Sequence, residues 1–174
     1  MTLTTTESFP LDRPAATLPC VAEAAGRRAT SRDLDALVAL RAEMFSAMGV
    51  PETDRAWRAN ARTWFADRLD HPDYCIVVVD LDRTVVACAV GAVRDAAPSP
   101  GVPDGRDVLV SNVSTLPGHR GRGHARAAFG AVMDWARRTG VGRAELMATG
   151  EGRTMYEAAG FRESTFPAMR ASLR

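Results

Sequence analysis

The 174 residues fit one domain with a sizeable core, and a formal charge of +1 is spread along the chain rather than gathered in blocks. That balance argues against a nucleic-acid binder held by bulk electrostatics, and no apolar run is long enough to span a bilayer. The N-terminus lacks a basic region followed by an apolar core, so no signal peptide is read and a cytoplasmic protein is expected.

Residues 1–19 are rich in Thr and Pro and read as a flexible extension to a domain over 20–174. A short edge strand is expected near residues 21–28. Thr30-Ser31-Arg32-Asp33 looks like a helix start, with a capping hydroxyl and an acidic first turn. Leu34, Leu37, Val38, Arg41, Phe45 and Met48 follow at helical spacing, and Gly49 ends the helix before Pro51. A second helix is expected from Thr53 or Asp54 to Leu69, with Trp57, Ala61, Trp64, Phe65 and Leu69 on one stripe. His71-Pro72-Asp73 breaks it.

Strands over 74–79 and 84–93 then form a meander hairpin around Asp80-Leu81-Asp82-Arg83. Residues 95–106 hold three prolines and two glycines and read as a loop. A strand over 108–115 leads through a glycine-rich turn into a helix that runs to about Thr139. Phe129, Val132, Met133 and Ala136 give it a core stripe and Gly140 caps it. A strand over 143–148, a short helix over 152–159 capped by Gly160, and strands over 161–163 and 168–173 complete the chain. This order predicts an α+β fold, a mixed sheet with helices on both faces. The three cysteines, Cys20, Cys75 and Cys88, lack metal-like spacing, and no metal is expected. Cys75 and Cys88 lie in apolar runs and should be buried small hydrophobes in a reducing cytosol.

The most informative stretch is Leu116-Pro117-Gly118-His119-Arg120-Gly121-Arg122-Gly123-His124-Ala125, at a strand-to-helix turn. Glycines let the backbone approach a ligand, the amides of a first helical turn point at phosphate oxygens, and arginines add charge-assisted hydrogen bonds. The competing reading is a mobile turn with solvated arginines. A Walker A loop is excluded, because Gly123 is followed by His124-Ala125 and the chain contains no lysine. A dinucleotide fingerprint read from Gly121 meets Arg126 where a small residue must stand. Arginine as the sole long basic residue, with abundant alanine, also suggests a gene of high GC content.

Four segments together resemble the GCN5-related N-acetyltransferase (GNAT) superfamily over about residues 27–173. They are Arg28-Ala29-Thr30 with Asp33-Leu34, the run Arg120 to Ala125, Asp134-Trp135-Ala136 through Gly140, and Met155-Tyr156-Glu157-Ala158-Ala159-Gly160-Phe161. The run from Arg120 fits that superfamily's pyrophosphate pattern. The resemblance implies a mostly antiparallel central sheet and acetyl coenzyme A (acetyl-CoA) as co-substrate. Pyrophosphate would sit on the N–H groups of Arg122, Gly123, His124 and Ala125, within a binding segment that includes Arg120 and Gly121. The pantetheine arm would run as a false strand beside Val113, Ser114 and Thr115, at a splay in the sheet. It further implies direct acyl transfer, with Tyr156 as proton donor to the coenzyme sulfur and a backbone N–H around Val113 or Thr115 as oxyanion donor.

The strand position that carries a glutamate in histone-acetylating members falls at about Leu109, which cannot accept a proton. Glu43 on the first helix, Asp107, or a water held by Ser111 and Ser114 are the candidate bases. His119 and His124 fit a phosphate-side role or plain exposure better. The acceptor pocket is expected from the segment Arg41 to Gly49, Trp57, Trp64 and the Pro-rich loop 95–104, with Phe45 and Trp64 read more readily as core. The expected acceptor is a primary amine of a small molecule in a bacterial setting, such as antibiotic self-resistance or biosynthesis. A protein N-terminus, an aminoacyl-tRNA, or a non-catalytic acyl-CoA binding module are the alternatives, and a homodimer stays open.

Overall fold

Alternating side chains on the central strands supply two separate cores, one on each face of a single sheet. The computed structural model describes residues 25–173. The expected extension over 1–19, Cys20 and the start of the expected edge strand lie outside the described residues.

Strand β1 (Gly26–Arg28) leads through a 3₁₀ turn (Ser31–Asp33) into helix α1 (Leu34–Ala47) and then α2 (Ala56–Ala66). Strands β2 (Tyr74–Leu81), β3 (Thr84–Asp95) and β4 (Arg106–Thr115) follow, then α3 (His124–Arg138), β5 (Ala144–Leu146) and α4 (Arg153–Ala158). The sheet order is β1-β2-β3-β4-β5, antiparallel except for the parallel pair β4–β5. Asp82 and Arg83 both take positive φ, 49° and 67°, the backbone of a tight two-residue hairpin matched to strand twist.

Cys75, Val77, Val79, Ala87, Ala89, Val108 and Val110 face Ala128, Phe129, Val132 and Ala136 of α3 and Tyr156 of α4. The intervening Ile76, Val78, Cys88 and Val90 face Leu34, Leu37, Val38 and Leu40 of α1 and Phe65 of α2. This is the period-two alternation of a sheet covered on both sides. Gly91 is required by close helix approach, since a Cβ there would lie 2.7 Å from the Trp135 ring. Both described cysteines are buried free thiols, and burial pushes Cys88 up to about 12.

The entry to α1 is held electrostatically. The Asp33 carboxylate accepts from the Thr30 N–H at 2.8 Å and from the Arg27 guanidinium at 2.7 and 2.9 Å. Arg27 also donates to Asp80 at 2.6 and 3.0 Å.

Three expectations are corrected. Residues 161–163 and 168–173 form no strand, and Phe166, Met169 and Leu173 are exposed rather than alternately buried. The β5 strand beside which they would extend the sheet is only 3 residues long. Helix α2 starts later than expected, at Ala56, whose N–H donates to the Asp54 carboxylate at 2.9 Å. Trp64 is exposed, so the expected stripe narrows to Phe65 and Leu69, which are buried, with Ala61 packed against the same core.

Candidate active site

Strand β4 keeps β3 along most of its length but pairs β5 only through Val108–Ala144, Leu109–Glu145 and Val110–Leu146. Beyond Val110 the two strands part, leaving the far half of β4 without a strand on that side. A bulge falls there too, because the register with β3 shifts between Cys88–Ser114 and Val90–Ser111. Its residue Asn112 is buried with φ +52°, a backbone that Asn tolerates better than most residues.

At the end of β4 the chain enters the glycine turn. Gly121 and Gly123 hold φ +73° and +85°, and a Cβ at either would meet nothing within 4 Å. Gly123 is the N-cap of α3, so the amides of His124, Ala125 and Arg126 have no intrahelical partner. No acidic side chain lies in that first turn, which leaves the positive helix end uncompensated. Arg120 reaches back over the turn, donating to the Thr115 carbonyl at 3.3 Å and to Glu43 at 2.9 Å.

These parts line a cleft of about 880 Å³. Val113, Ser114, Thr115, Arg120, Gly121, Gly123, His124 and Ala125 all border it, whereas Arg122 is exposed and outside the lining. Thr115 Oγ1, His119 Nδ1 and His124 Nε2 are buried there without a hydrogen-bond partner, a cradle that suits a polar ligand such as the coenzyme. Tyr156 closes the opposite wall, its ring edge-on to Phe129 at 5.3 Å. Burial raises its phenol above the ordinary tyrosine value.

A second cleft of about 980 Å³ lies beside the C-terminal half of α1 and the start of α2. Arg41, Glu43, Phe45 and Trp57 line it, with Phe45 edge-on to Trp57 at 5.8 Å. Phe45 therefore borders a cleft rather than filling the core.

Other sequence-based candidates fall elsewhere. Asp107 sits at the opposite end of β4 and is buried between Arg94, at 2.7 Å, and Arg143, at 3.0 Å. Burial pushes its carboxyl up, but those two guanidinium groups prevail and hold it below the usual range, a poor base far from the cleft. The Pro-rich loop joins β3 to β4 at that same remote end and lines neither cleft. Ser111 is exposed and outside both linings, while Ser114 is buried in the first. Sequence reading missed Asn112, Arg126 and the lip Thr149 to Gly152. An Asn within an otherwise regular strand was the one available signal for the bulge.

The acetyltransferase (GNAT) family model matches residues 34–161. Among solved structures, the chain is similar to a predicted acetyltransferase of Clostridium acetobutylicum with acetyl-CoA, at 22% identity and TM-score 0.75 over 84% of this chain and 94% of that one. It is also similar to a GCN5-related N-acetyltransferase of Ralstonia eutropha JMP134, at 22% identity and TM-score 0.70 over 84% and 97%. A third is AAC(6')-Iy in complex with the bisubstrate analog CoA-S-monomethyl-acetylneamine, at 18% identity and TM-score 0.66 over 86% and 97%. At these identities the likeness is one of fold. No curated protein matches the chain by sequence. Among the described residues no helix is long and apolar enough to cross a membrane.

Proposed function

Because this chain belongs to the acetyltransferase (GNAT) family, whose chemistry is acetyl transfer from acetyl-CoA, we propose that it acetylates a primary amine of a small molecule. The observation that carries this reading is a single cleft bordered by the glycine turn, the unpaired end of β4 and Tyr156. The thioester supplies an already activated acyl group, so the protein's task is placement, charge stabilisation and proton movement.

In this reading, the α3 amides from His124 to Arg126 and the Arg120 guanidinium hold the pyrophosphate. Backbone N–H groups at the β4 bulge, around Val113 to Thr115, stabilise the oxyanion that forms at the carbonyl. Tyr156 donates its proton to the departing thiolate, and its raised pKa keeps it protonated at neutral pH. Glu43 borders the second cleft with one oxygen on Arg120, which leaves the other to take the amine proton directly or through water. Because the thioester is already activated, transfer is read as direct, from the coenzyme to the amine without a covalent enzyme intermediate. The second cleft, about 980 Å³, has the size of a small-molecule pocket, and AAC(6')-Iy, of the same fold, is in complex with a bisubstrate analog, CoA-S-monomethyl-acetylneamine.

Thiol release from acetyl-CoA, followed across a panel of small amines, peptides and aminoacyl-RNA, tests the proposal. A small amine should release thiol in step with its N-acetyl product, seen by mass spectrometry. Coenzyme binding without thiol release for any acceptor would overturn it.

A further inference from the structure

The second cleft holds a cation that nothing in the described chain neutralises. Arg41 projects from α1, half-buried, with its guanidinium carbon 4.9 Å above the Phe45 ring. One of its Nη nitrogens donates to Asn112 Oδ1, a neutral oxygen. Among the described residues no carboxylate pairs with it. The other arginine on this cleft is already satisfied, since Arg58 grips Glu52 at 2.6 and 3.0 Å. Burial lowers the Arg41 pKa, the direction expected of a cation removed from water without an anion.

Asn112 is built to hold Arg41 still. It is 4% exposed, and its backbone carbonyl accepts from the Cys88 thiol at 3.2 Å. Its Nδ2 is buried without a partner, so the amide is oriented by Arg41 alone. It also occupies the positive-φ position of the bulge where β4 and β5 part, beside the segment read as the reacting end of the coenzyme cleft. A half-buried guanidinium with one of its five donors engaged has a planar edge left for an oxyanion.

We propose that Arg41 is a specificity residue that binds a carboxylate carried by the acceptor beside its amine, with Asn112 as its positioning residue. The inference rests on reading this cleft as the acceptor side. With Glu52 spent on Arg58, Glu43 and Asp54 still line the same cleft and would repel a dianion, so a carboxylate is favoured over a phosphate, and one free cation matches one negative charge. Those same carboxylates suit the ammonium end of such an acceptor. An amino-acid-like molecule satisfies both ends.

The test pairs L-amino acids with their own carboxamides as acceptors, with phosphoethanolamine as a phosphate-bearing arm. The best acid should exceed its carboxamide in kcat/KM by about 10-fold or more, mainly through KM. Arg41→Met should bring the two within about twofold of each other while acetyl-CoA affinity is kept. Where that variant fails to fold, Arg41→Lys should raise KM for the acid and leave that for the carboxamide. A carboxamide as good as its acid, a preference for phosphoethanolamine, or an acid preference that survives at Arg41→Met would each overturn the assignment. A second arm needs no turnover: the N-acetyl derivatives of the same acids and carboxamides are titrated by calorimetry into the CoA-saturated protein. Acid-selective binding that Arg41→Met abolishes supports the anion site even if no acceptor releases thiol, the result that would remove the acetyltransferase reading alone. Equal or absent binding of both in that case overturns the anion site as well.

Discussion

The Glu43 carboxylate of α1 and the Arg120 guanidinium of the glycine turn meet at 2.9 Å, across 77 residues of sequence. Glu43 borders the second cleft and Arg120 the cleft at the glycine turn, so this pair joins the two. Both side chains are partly exposed, and such a pair contributes about 0–1 kcal/mol. A pyrophosphate competing for Arg120 would displace Glu43 at little cost. Arg120→Ala should weaken acetyl-CoA binding about 10-fold at low ionic strength, and less at high salt. Glu43→Gln should lower kcat yet leave coenzyme affinity equal or slightly higher, since a competitor for Arg120 is weakened. Calorimetry at two salt concentrations reads both variants, and weaker coenzyme binding by Glu43→Gln would contradict the competition.

Tyr156 sits against Phe129 and Phe161 at 5.3 and 6.3 Å, and desolvation raises its pKa. For a proton donor the sign is favourable: a raised pKa keeps the phenol protonated through neutral and mildly alkaline pH. The alkaline limb of kcat should therefore lie above about pH 10 in the native protein. Tyr156→Phe should lower kcat by about 10-fold or more and abolish that limb, with coenzyme affinity nearly intact. An unchanged kcat would remove Tyr156 from the mechanism.

The glycine-turn cleft was legible in sequence because its parts are local. The Arg120 to Ala125 run is contiguous, its glycines advertise positive φ, and helix periodicity locates the amides that follow. Thr30 and Asp33 likewise announced the start of α1, and the continuous apolar runs of β2 and β3 suit strands buried on both faces. The second cleft depends instead on contacts between distant segments. No pattern along the chain brings Arg41 to Asn112 or Glu43 to Arg120, and nothing in sequence says that Asp107 is already held by Arg94 and Arg143. Trp64 misled because hydrophobicity alone does not separate it from Phe65, one residue and about 100° away around α2. The terminal strands misled for a related reason: short apolar alternation becomes a strand only where an edge is available to pair with it.

Gly123 and Gly118 form a matched pair for the turn. Both would place a Cβ in open space, but only Gly123 has positive φ, at +85°. Gly123→Val should cost about 1–2 kcal/mol of stability through the backbone alone. Its side chain would also crowd the first amides of α3, so acetyl-CoA affinity should fall by at least about 10-fold. Gly118→Ala should leave melting temperature and affinity close to native values. Equal calorimetric affinity for Gly123→Val and the native protein would show that the pyrophosphate lies elsewhere.

Asp33 gives the fold an acid-sensitive joint. It is 3% exposed, and hydrogen bonds from Arg27, outweighing desolvation, lower its pKa from 3.8 to about 2. A carboxyl depressed in the folded state stabilises it fully above the unfolded value. That contribution is lost as pH falls from about 4 towards 2, because protonation then favours the unfolded chain. The shift corresponds to about 2 kcal/mol at neutral pH. Asp33→Asn should therefore be less stable by about that amount at pH 7, with the gap to the native protein narrowing across that acid window. Urea denaturation at stepped pH measures the gap directly. A gap that stays constant down to the acid end would mean that Asp33 acts through packing and the Thr30 N–H bond, not through its charge on Arg27.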